Sequence, residues 1–165
     1  MDAANFRYDT PHGPIHGYLT DDGLRELRLP IPGQPIQPHM LRLRPDHTLG
    51  WRLTRLFKSY FAGKAVDFNE VPLDPAFGTA FQRAVWRALC AIPHGHTLTY
   101  GELGARIGKP NAARAVGGAL HANPICIVIP CHRILASGGR IGGYGAGLEW
   151  KRRLLRLEGI GGWKD

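Results

Sequence analysis

The amino-acid sequence predicts a mixed α/β protein made of two domains, with a boundary between residues 77 and 78. Residues 6–29 alternate apolar and polar side chains around turn residues, which is the pattern of strands. After Gly78 the apolar residues instead recur at helical spacing. Residues 64–77 contain Pro72 and Pro75 without a periodic pattern, which is typical of a connection between domains.

The N-terminal domain opens with three predicted strands. The first covers residues 6–8 and the second residues 15–19, with a Pro/Gly turn between them at residues 10–14. Asp22-Gly23 then separates the second strand from a third at residues 24–29, and Asp-Gly between alternating segments is a strong hairpin signal.

A single helix is predicted later in this domain. Residues 30–38 contain four prolines and form a loop. Asp46 can cap a helix that runs to about Gly63. Its predicted apolar face consists of Leu49, Leu53, Leu56, Phe57 and Tyr60.

The C-terminal domain is predicted to be mostly helical. Thr79 caps a helix through Cys90 that buries Phe81, Val85, Trp86 and Leu89 and exposes Arg83 and Arg87. A second helix covers residues 100–107, and a third runs from about Asn111 to about Ala122. The tight Gly108-Lys109-Pro110 turn between these two helices gives the outline of a helix-turn-helix.

The charge distribution of the 165-residue chain indicates a polyanionic partner. Residues 1–77 carry nine Lys/Arg against nine Asp/Glu, whereas residues 78–165 carry twelve against four, so the whole net charge of +8 lies in the second part. Nucleic acid is the favoured partner. A solvated basic face is the alternative.

The cysteines and the hydropathy pattern predict a reduced, cytoplasmic location. Three cysteines are an odd number without disulfide or metal-quartet spacing. The chain has no apolar run of signal-peptide or membrane-spanning length, so we expect no membrane association. Cys90, His94 and His96 could be interpreted as metal ligands, but an exposed loop is favoured. We predict neither a metal nor a cofactor.

The third predicted helix is unusually rich in small residues. Ala113, Ala115, Gly117 and Gly118 are joined there by one long cation, Arg114. Adjacent glycines cost about 1 kcal/mol each relative to alanine in a helix interior, so helix propensity does not explain them. A face of small residues can enter a DNA minor groove, which is only about 6 Å wide. Tight packing against another helix is the alternative.

Cys131 and His132 form the candidate reactive centre. They follow the apolar run of residues 125–128, which predicts a short buried strand that ends just before Cys131. A thiol beside an imidazole can be activated as a thiolate nucleophile. A buried core cysteine is the alternative interpretation. Asn123, which precedes Pro124, is suited to bond nearby backbone and shape the turn, although it could also be an ordinary turn residue.

These features together resemble the O6-alkylguanine-DNA alkyltransferases in their short, single-function form. The resemblance rests on the segments at residues 114–118, 123–124, 129–133, 142–145 and 151–159. It is specific over residues 81–159 and loose before them. It implies an N-terminal domain of ribonuclease-H-like type and a C-terminal domain that carries the helix-turn-helix and the reactive cysteine.

The resemblance also implies a DNA repair reaction that reverses the damage directly. The protein would bind duplex DNA in the minor groove, rotate O6-alkylguanine or O4-alkylthymine out of the stack, and transfer the alkyl group irreversibly to Cys131. His132 would act as a base through a water molecule, and Glu158 would orient it. Tyr100 would donate to the leaving guanine, and Asn123 would shape the site.

Further residues receive implied roles in recognition. Arg114 would fill the space left by the rotated nucleotide, with Ala113, Ala115, Gly117 and Gly118 at the groove. The expected alkylguanine pocket comprises Leu120, Cys126, Ile134, Tyr144, Gly145 and Ala146. Some family members have proline in place of Cys126 and glycine in place of Ala146, so the response to bulky adducts is open. Cys126 is either a structural cysteine or an oxidation partner of the site.

The expected partner is double-stranded DNA that contains alkylated guanine, bound by a monomer with possible cooperativity along the duplex. A related class only recognises the lesion and lacks the cysteine, which Cys131 argues against. A helix-turn-helix transcription regulator would not explain Cys131, His132 and Glu158. A cysteine hydrolase would not explain the basic half of the chain.

Overall fold

The structure is a computed structural model that describes residues 4–40, 48–74 and 77–165. It confirms the mixed α/β class, with five α-helices and two small sheets among the described residues. The chain divides into two compact units, Met1–Phe77 and Gly78–Asp165. None of the helices in the described ranges has the length and apolarity needed to cross a membrane.

The first unit is built on an antiparallel sheet. Strands β1 (Ala4–Thr10), β2 (Gly13–Thr20) and β3 (Gly23–Arg28) pair in chain order. The predicted hairpin is present, since Thr20 pairs with Gly23 across the Asp21-Asp22 turn. The alternating pattern therefore predicted all three strands, of which the first two are longer than expected and the third begins and ends one residue earlier.

Helix α1 (Thr48–Phe61) supplies the core of the first unit, and all five predicted apolar residues are buried. The Phe57 ring lies 5.9 Å from that of Phe6 and 5.5 Å from that of Phe68. Aromatic side chains bury large apolar areas, so this cluster contributes to the stability of the unit. The predicted cap at Asp46 lies outside the described residues.

The second unit begins with three helices, α2 (Ala80–Cys90), α3 (Tyr100–Arg106) and α4 (Ala113–His121). Thr79 caps α2 and Thr99 caps α3, and both ends form complete capping boxes. Helix α4 starts two residues later than predicted and has no side-chain cap. The Arg83 and Arg87 side chains are exposed as expected, while Phe81 is only half-buried.

The predicted strand at residues 125–128 is wrong. This segment forms consecutive tight turns in which Val128 N–H donates to Cys126 O and Ile129 N–H donates to Ile125 O. Ile127 takes a left-handed conformation with φ of 72°. The run is apolar because the turns are buried, and burial alone does not distinguish a strand from a compact turn.

Two short elements place the reactive segment beside α3. Strand β4 (Leu98–Thr99) pairs in parallel with β5 (Ile134–Leu135), and a 3-10 turn at Cys131–Arg133 immediately precedes β5. Tyr100 is the first residue of α3 and directly follows β4. The pairing therefore brings Tyr100 close to the turn that carries Cys131. Helix α5 (Leu148–Leu157) completes the unit.

Candidate active site around Cys131

The Cys131 thiol lies at the floor of a cleft of about 260 Å³ in the second unit. It is the first residue of the 3-10 turn and is buried, with 6% of its surface exposed. The cleft gives a small reactant access to an otherwise protected sulfur. Its lining comprises Tyr100, Gly117, Leu120, His121, Cys131, Gly143, Tyr144 and Gly145.

Asn123 ties the turns on both sides of the thiol together. Its side-chain nitrogen donates to Ile129 O at 2.9 Å and to the Cys131 Sγ at 3.1 Å, and its side-chain oxygen accepts from Ile125 N–H at 3.0 Å. Asn123 is buried, so both ends of its amide are satisfied inside the protein. One residue therefore shapes the buried turns and positions a donor at the sulfur.

The surroundings of Cys131 favour its thiolate form. A hydrogen bond from the Cys126 thiol lowers the pKa of Cys131 most, and this outweighs the raising effect of burial. The Asn123 amide, the positive charge of Lys151 and the Tyr144 hydroxyl lower it further. Because thiolate is the nucleophilic form, this sulfur is prepared for attack on an electrophile.

His132, Glu158 and Arg133 form a buried charged cluster behind the thiol. Glu158 Oε1 accepts from His132 Nε2 at 2.7 Å, and Arg133 Nε donates to Glu158 Oε2 at 2.9 Å. Arg133 also donates to Ile92 O at 2.6 Å, which anchors the guanidinium to the segment that follows α2. All three side chains are buried.

The pKa shifts in this cluster indicate which of its groups carry a proton near pH 7. Burial would raise the pKa of Glu158, but hydrogen bonds from His132 and Arg133 and the charge of Arg133 outweigh it and hold the pKa well below its usual range. Burial lowers the pKa of His132 below its ordinary value, against the opposing effect of Glu158. His132 is thus neutral near pH 7. Since a carboxylate only accepts, the His132 proton lies on Nε2 and the basic lone pair lies on Nδ1.

Lys151 is a residue of the site that the sequence interpretation missed. Its Nζ donates to Ile134 O at 2.6 Å and to Gly143 O at 3.1 Å, and the side chain is fully buried. Burial lowers its pKa to about 8, although Cys131 raises it. Its helical spacing to Leu154, Leu155 and Glu158 was the available signal, because it places Lys151 on the buried face of α5.

Two tyrosines flank the sulfur within the cleft. Burial raises the pKa of Tyr100 most, and the nearby Cys131 raises it further, while a hydrogen bond from the Gly143 backbone lowers it. Tyr100 therefore keeps its hydroxyl proton near neutral pH and can donate it. The Tyr144 hydroxyl instead lowers the pKa of the Cys131 thiol.

Helix α4 presents its small residues on the outside of the unit. Ala113, Arg114, Ala115 and Gly118 are exposed, whereas Val116 and Ala119 are buried. A Cβ at Gly118 would meet no atom within 4 Å, so helix packing does not explain this glycine. A Cβ at Gly117 would lie 3.7 Å from the Tyr100 ring, which makes Gly117 part of the cleft wall.

Three of the predicted pocket residues do not line the cleft. Cys126 is not among the lining residues, although its thiol lowers the pKa of Cys131. Ile134 is fully buried in β5, and its carbonyl accepts from Lys151. Ala146 is also buried. The other predicted pocket residues, Leu120, Tyr144 and Gly145, are brought together with Tyr100 and Cys131.

The cysteine and histidines weighed as metal ligands make other contacts. Cys90 Sγ lies 3.9 Å from Val128 O, and His96 Nδ1 lies 3.1 Å from His94 O. Within residues 4–40, 48–74 and 77–165 no group of three or more His, Cys, Asp and Glu residues is arranged to hold a metal ion.

Several known proteins are similar to this chain. A family model for the 6-O-methylguanine DNA methyltransferase, DNA binding domain, matches residues 80–160. A methylated-DNA--protein-cysteine methyltransferase of Haemophilus influenzae is 55% identical over 154 residues, which cover 93% of this chain and 84% of that protein. A methylated-DNA--protein-cysteine methyltransferase of Methanosarcina barkeri is 41% identical over 157 residues, which cover 91% of this chain and 93% of that protein.

A solved structure extends the similarity to the backbone. The crystal structure of Mycobacterium tuberculosis OGT in complex with DNA has a TM-score of 0.82 and 40% identity, covering 94% of this chain and 92% of that chain. The match thus spans both units. The chain belongs to the methylated-DNA--protein-cysteine methyltransferase family, as its resemblance in sequence predicted.

Proposed function

We propose that this protein repairs alkylated guanine in DNA by transferring the alkyl group to Cys131 in a reaction that each molecule performs once. The observation that carries the proposal is the environment of the Cys131 sulfur. The Asn123 amide donates to the sulfur at 3.1 Å, and Cys131 lines the cleft that would admit the alkylated base. This arrangement prepares a nucleophile without providing a means to remove what it accepts.

The chemistry follows from the groups around the sulfur. The thiolate attacks the alkyl carbon, a C–S bond forms, and the bond from that carbon to guanine O6 breaks. The electron pair passes to the guanine, where the Tyr100 hydroxyl donates a proton. His132 takes the thiol proton at Nδ1 through a water molecule, and Glu158 stabilises the imidazolium that results. A thioether is inert to water, so the acceptor is consumed.

Helix α4 is the proposed DNA-reading element. With α3 it forms a helix-turn-helix, and its exposed face of small residues enters the minor groove. The exposed Arg114 then occupies the space of the nucleotide that rotates into the cleft. Leu120 lies on the cleft wall, where it would contact the extruded base. The basic charge of residues 78–165 supports phosphate contacts around this helix.

The cleft also supports an assignment of the base-recognising groups. The Gly145 backbone N–H is the proposed donor to guanine O6, and the carbonyls of Cys131 and Ile134 are the proposed acceptors of the exocyclic amine. Ile134 O already accepts from Lys151 and would use its second lone pair. O4-alkylthymine carries the same kind of alkyl–oxygen bond on a ring carbon and is a further proposed substrate.

The first unit would be a ribonuclease-H-like domain, which its antiparallel β1-β2-β3 order followed by α1 supports. The proposed assembly is a monomer on duplex DNA in the cytoplasm. Cooperativity along the duplex would appear as a binding curve steeper than that for independent sites.

Incubation with duplex DNA containing O6-methylguanine tests the transfer. The peptide that contains Cys131 should gain one CH₂ unit, in an amount equal to the guanine restored. Cys131→Ser should retain DNA binding and show no transfer, because an alcohol is not ionised near neutral pH. An unmodified Cys131 peptide beside intact adduct would refute the proposal.

Arg114 tests the base-rotation step. Arg114→Ala should slow transfer from duplex DNA more than transfer from the free alkylated base, which needs no rotation. Arg87→Ala, which removes another exposed cation, from α2, is the matched control and should leave the ratio of the two rates unchanged. Equal effects of the two variants on duplex DNA would remove Arg114 from this role.

A further inference from the structure

The cleft wall beside Tyr100 is formed by a loop that is rich in glycine. Residues 137–147 lie between β5 and α5, and Gly143, Tyr144 and Gly145 of this loop line the cleft. Six of its eleven residues are glycines. Glycine loses more conformational entropy on ordering than any other residue, so a loop of this composition needs contacts from other segments to keep one conformation.

Residues 163–165, which follow α5, supply such contacts and are called the anchoring segment below. Lys164 N–H donates to Gly139 O at 2.9 Å, and Ile141 N–H donates to Lys164 O at 2.8 Å. Lys164 is thereby paired in parallel with Arg140. Both bonds use the backbone of Lys164 and do not depend on its exposed side chain, so the pattern of side chains in the sequence does not predict them.

The anchoring segment is itself attached to α5. Asp165 Oδ1 accepts from Arg152 Nη2 at 2.8 Å, and the Arg156 guanidinium lies 5.6 Å from the centre of the Trp163 ring. Each of these side-chain contacts is weak on its own, because it lies at the surface. Together with the backbone bonds they join the glycine-rich loop to a regular helix.

The paired part of the loop leads directly into the cleft wall. Ile141 is buried, and the next residue, Gly142, lies close to Tyr100, since a Cβ at Gly142 would be 3.3 Å from the Tyr100 hydroxyl oxygen. Lys151 Nζ then donates to Gly143 O at 3.1 Å. A shift of Ile141 would therefore move the wall relative to the hydroxyl that is proposed to donate to the leaving guanine.

We propose that residues 163–165 are a positioning segment of the active site, which holds the loop in the conformation that forms the cleft wall. None of these three residues, all of which the structure describes, is among those that line the cleft. They act through Gly139 and Ile141, so their loss should impair the fit of the alkylated base and leave the thiol chemistry as it is. The proposal rests on the proposed function in taking the cleft as the site of that base.

Lys164→Pro tests the anchoring segment, because proline lacks the N–H that donates to Gly139 O. Single-turnover transfer from duplex DNA containing O6-methylguanine should be about tenfold slower at saturating DNA, as expected for a reactant held in a displaced position. The affinity for undamaged duplex and the rate of alkylation by iodoacetamide against pH should both match wild type. A general loss of structure would change all three measurements.

Lys64→Pro is the matched control. It also replaces an exposed lysine whose N–H donates to a backbone carbonyl, that of Ser59 at 3.2 Å, but it lies in the first unit after α1. Proline is common just beyond the end of a helix, so the change should be tolerated there. This variant should transfer the alkyl group at the wild-type rate.

Hydrogen exchange measured by mass spectrometry follows the loop directly. The peptide that contains residues 137–147 should exchange faster in Lys164→Pro than in wild type, and peptides from α4 should not change. Trp163→Ala loses the contact with Arg156 and should shift both exchange and transfer in the same direction. It decides the question if the proline variant does not fold.

Unchanged exchange of residues 137–147 in Lys164→Pro would overturn the proposal. Faster exchange with transfer at the wild-type rate would also overturn it, as would a loss of transfer that Lys64→Pro shares. A wild type that transfers no alkyl group would instead refute the proposed function, and the exchange of the loop would then decide the role of the anchoring segment alone.

Discussion

Arg133 binds both carboxylate oxygens of Glu158, with Nε 2.9 Å from Oε2 and Nη2 3.0 Å from Oε1. The two residues are 25 positions apart in the chain and both are buried. Planar guanidinium groups match carboxylates in this geometry. The pair keeps Glu158 ionised inside the protein, and an ionised Glu158 in turn determines which nitrogen of His132 carries the proton.

Arg133→Leu should destabilise the protein strongly. It leaves the Glu158 carboxylate buried without its cation, and breaking one partner of a buried pair costs about 3–5 kcal/mol. Urea denaturation of the purified variant measures the loss. Arg152→Leu is the matched control, since its partner Asp165 is exposed, and it should change the midpoint little. Similar midpoints for the two variants would show that Glu158 is stabilised in another way.

Alkyl transfer should fall in acid as His132 becomes protonated. Burial places the pKa of His132 below its ordinary value of 6.5, so the loss of rate should lie below pH 6.5. A single-turnover pH profile measures it. The stability of the protein should fall in acid as well. The unfolded chain binds the proton first as pH drops, so the free energy of unfolding also decreases below pH 6.5.

A substitution of Glu158 tests whether His132 is the group that causes the loss of rate in acid. Glu158→Gln keeps an oxygen that can accept from Nε2 but removes the negative charge that raises the pKa of His132. The acid limb should therefore move to lower pH, and the maximal rate should fall because the imidazolium loses its counter-charge. An acid limb that stays in place would assign it to another group.

Local pattern was sufficient to predict much of the fold. The Asp22-Gly23 hairpin and the buried face of α1 follow from periodicity, and the capping role of Thr79 follows from the residue type and its position before an apolar run. These features depend on neighbours a few residues apart. A single sequence displays such neighbours directly.

The parts that sequence did not predict depend on distant partners. The pattern of residues 125–128 predicted a strand. The bond from Ile125 to the Asn123 side chain and the left-handed conformation of Ile127 instead form turns there. Lys151 was passed over because a lysine is usually exposed. Its partners, the carbonyls of Ile134 and Gly143, lie on other segments of the chain, so the residues around Lys151 in the sequence do not predict them.

Asn123→Ala should reduce both the stability and the thiol reactivity. Ile129 O and Ile125 N–H would each lose a buried partner, at a cost of about 1–3 kcal/mol per group. Cys131 would also lose a donor, so its pKa should rise. The rate of alkylation by iodoacetamide against pH measures the second effect. Asn111→Ala, at an exposed position, should leave the profile unchanged.

Lys151→Met should move the same thiol profile to higher pH. The positive charge of Lys151 lowers the pKa of Cys131, and methionine keeps most of the side-chain length without the charge. Lys164→Met removes an exposed charge from the same unit and should leave the profile in place. A profile that both variants shift equally would indicate general electrostatics rather than a local effect of Lys151.

Gly118→Ala should raise stability and weaken DNA binding at the same time. Alanine is favoured over glycine within a helix by up to about 1 kcal/mol, and the added Cβ meets no atom within 4 Å. If the α4 face enters a groove, however, the same methyl group stands between the helix backbone and the DNA. Thermal unfolding and fluorescence anisotropy with duplex DNA measure the two effects separately.

Gly101→Ala in α3 is the control, because it also adds a methyl group that meets no atom within 4 Å. It should leave DNA affinity unchanged. Stabilisation by Gly118→Ala without loss of affinity would show that the glycine face does not contact DNA.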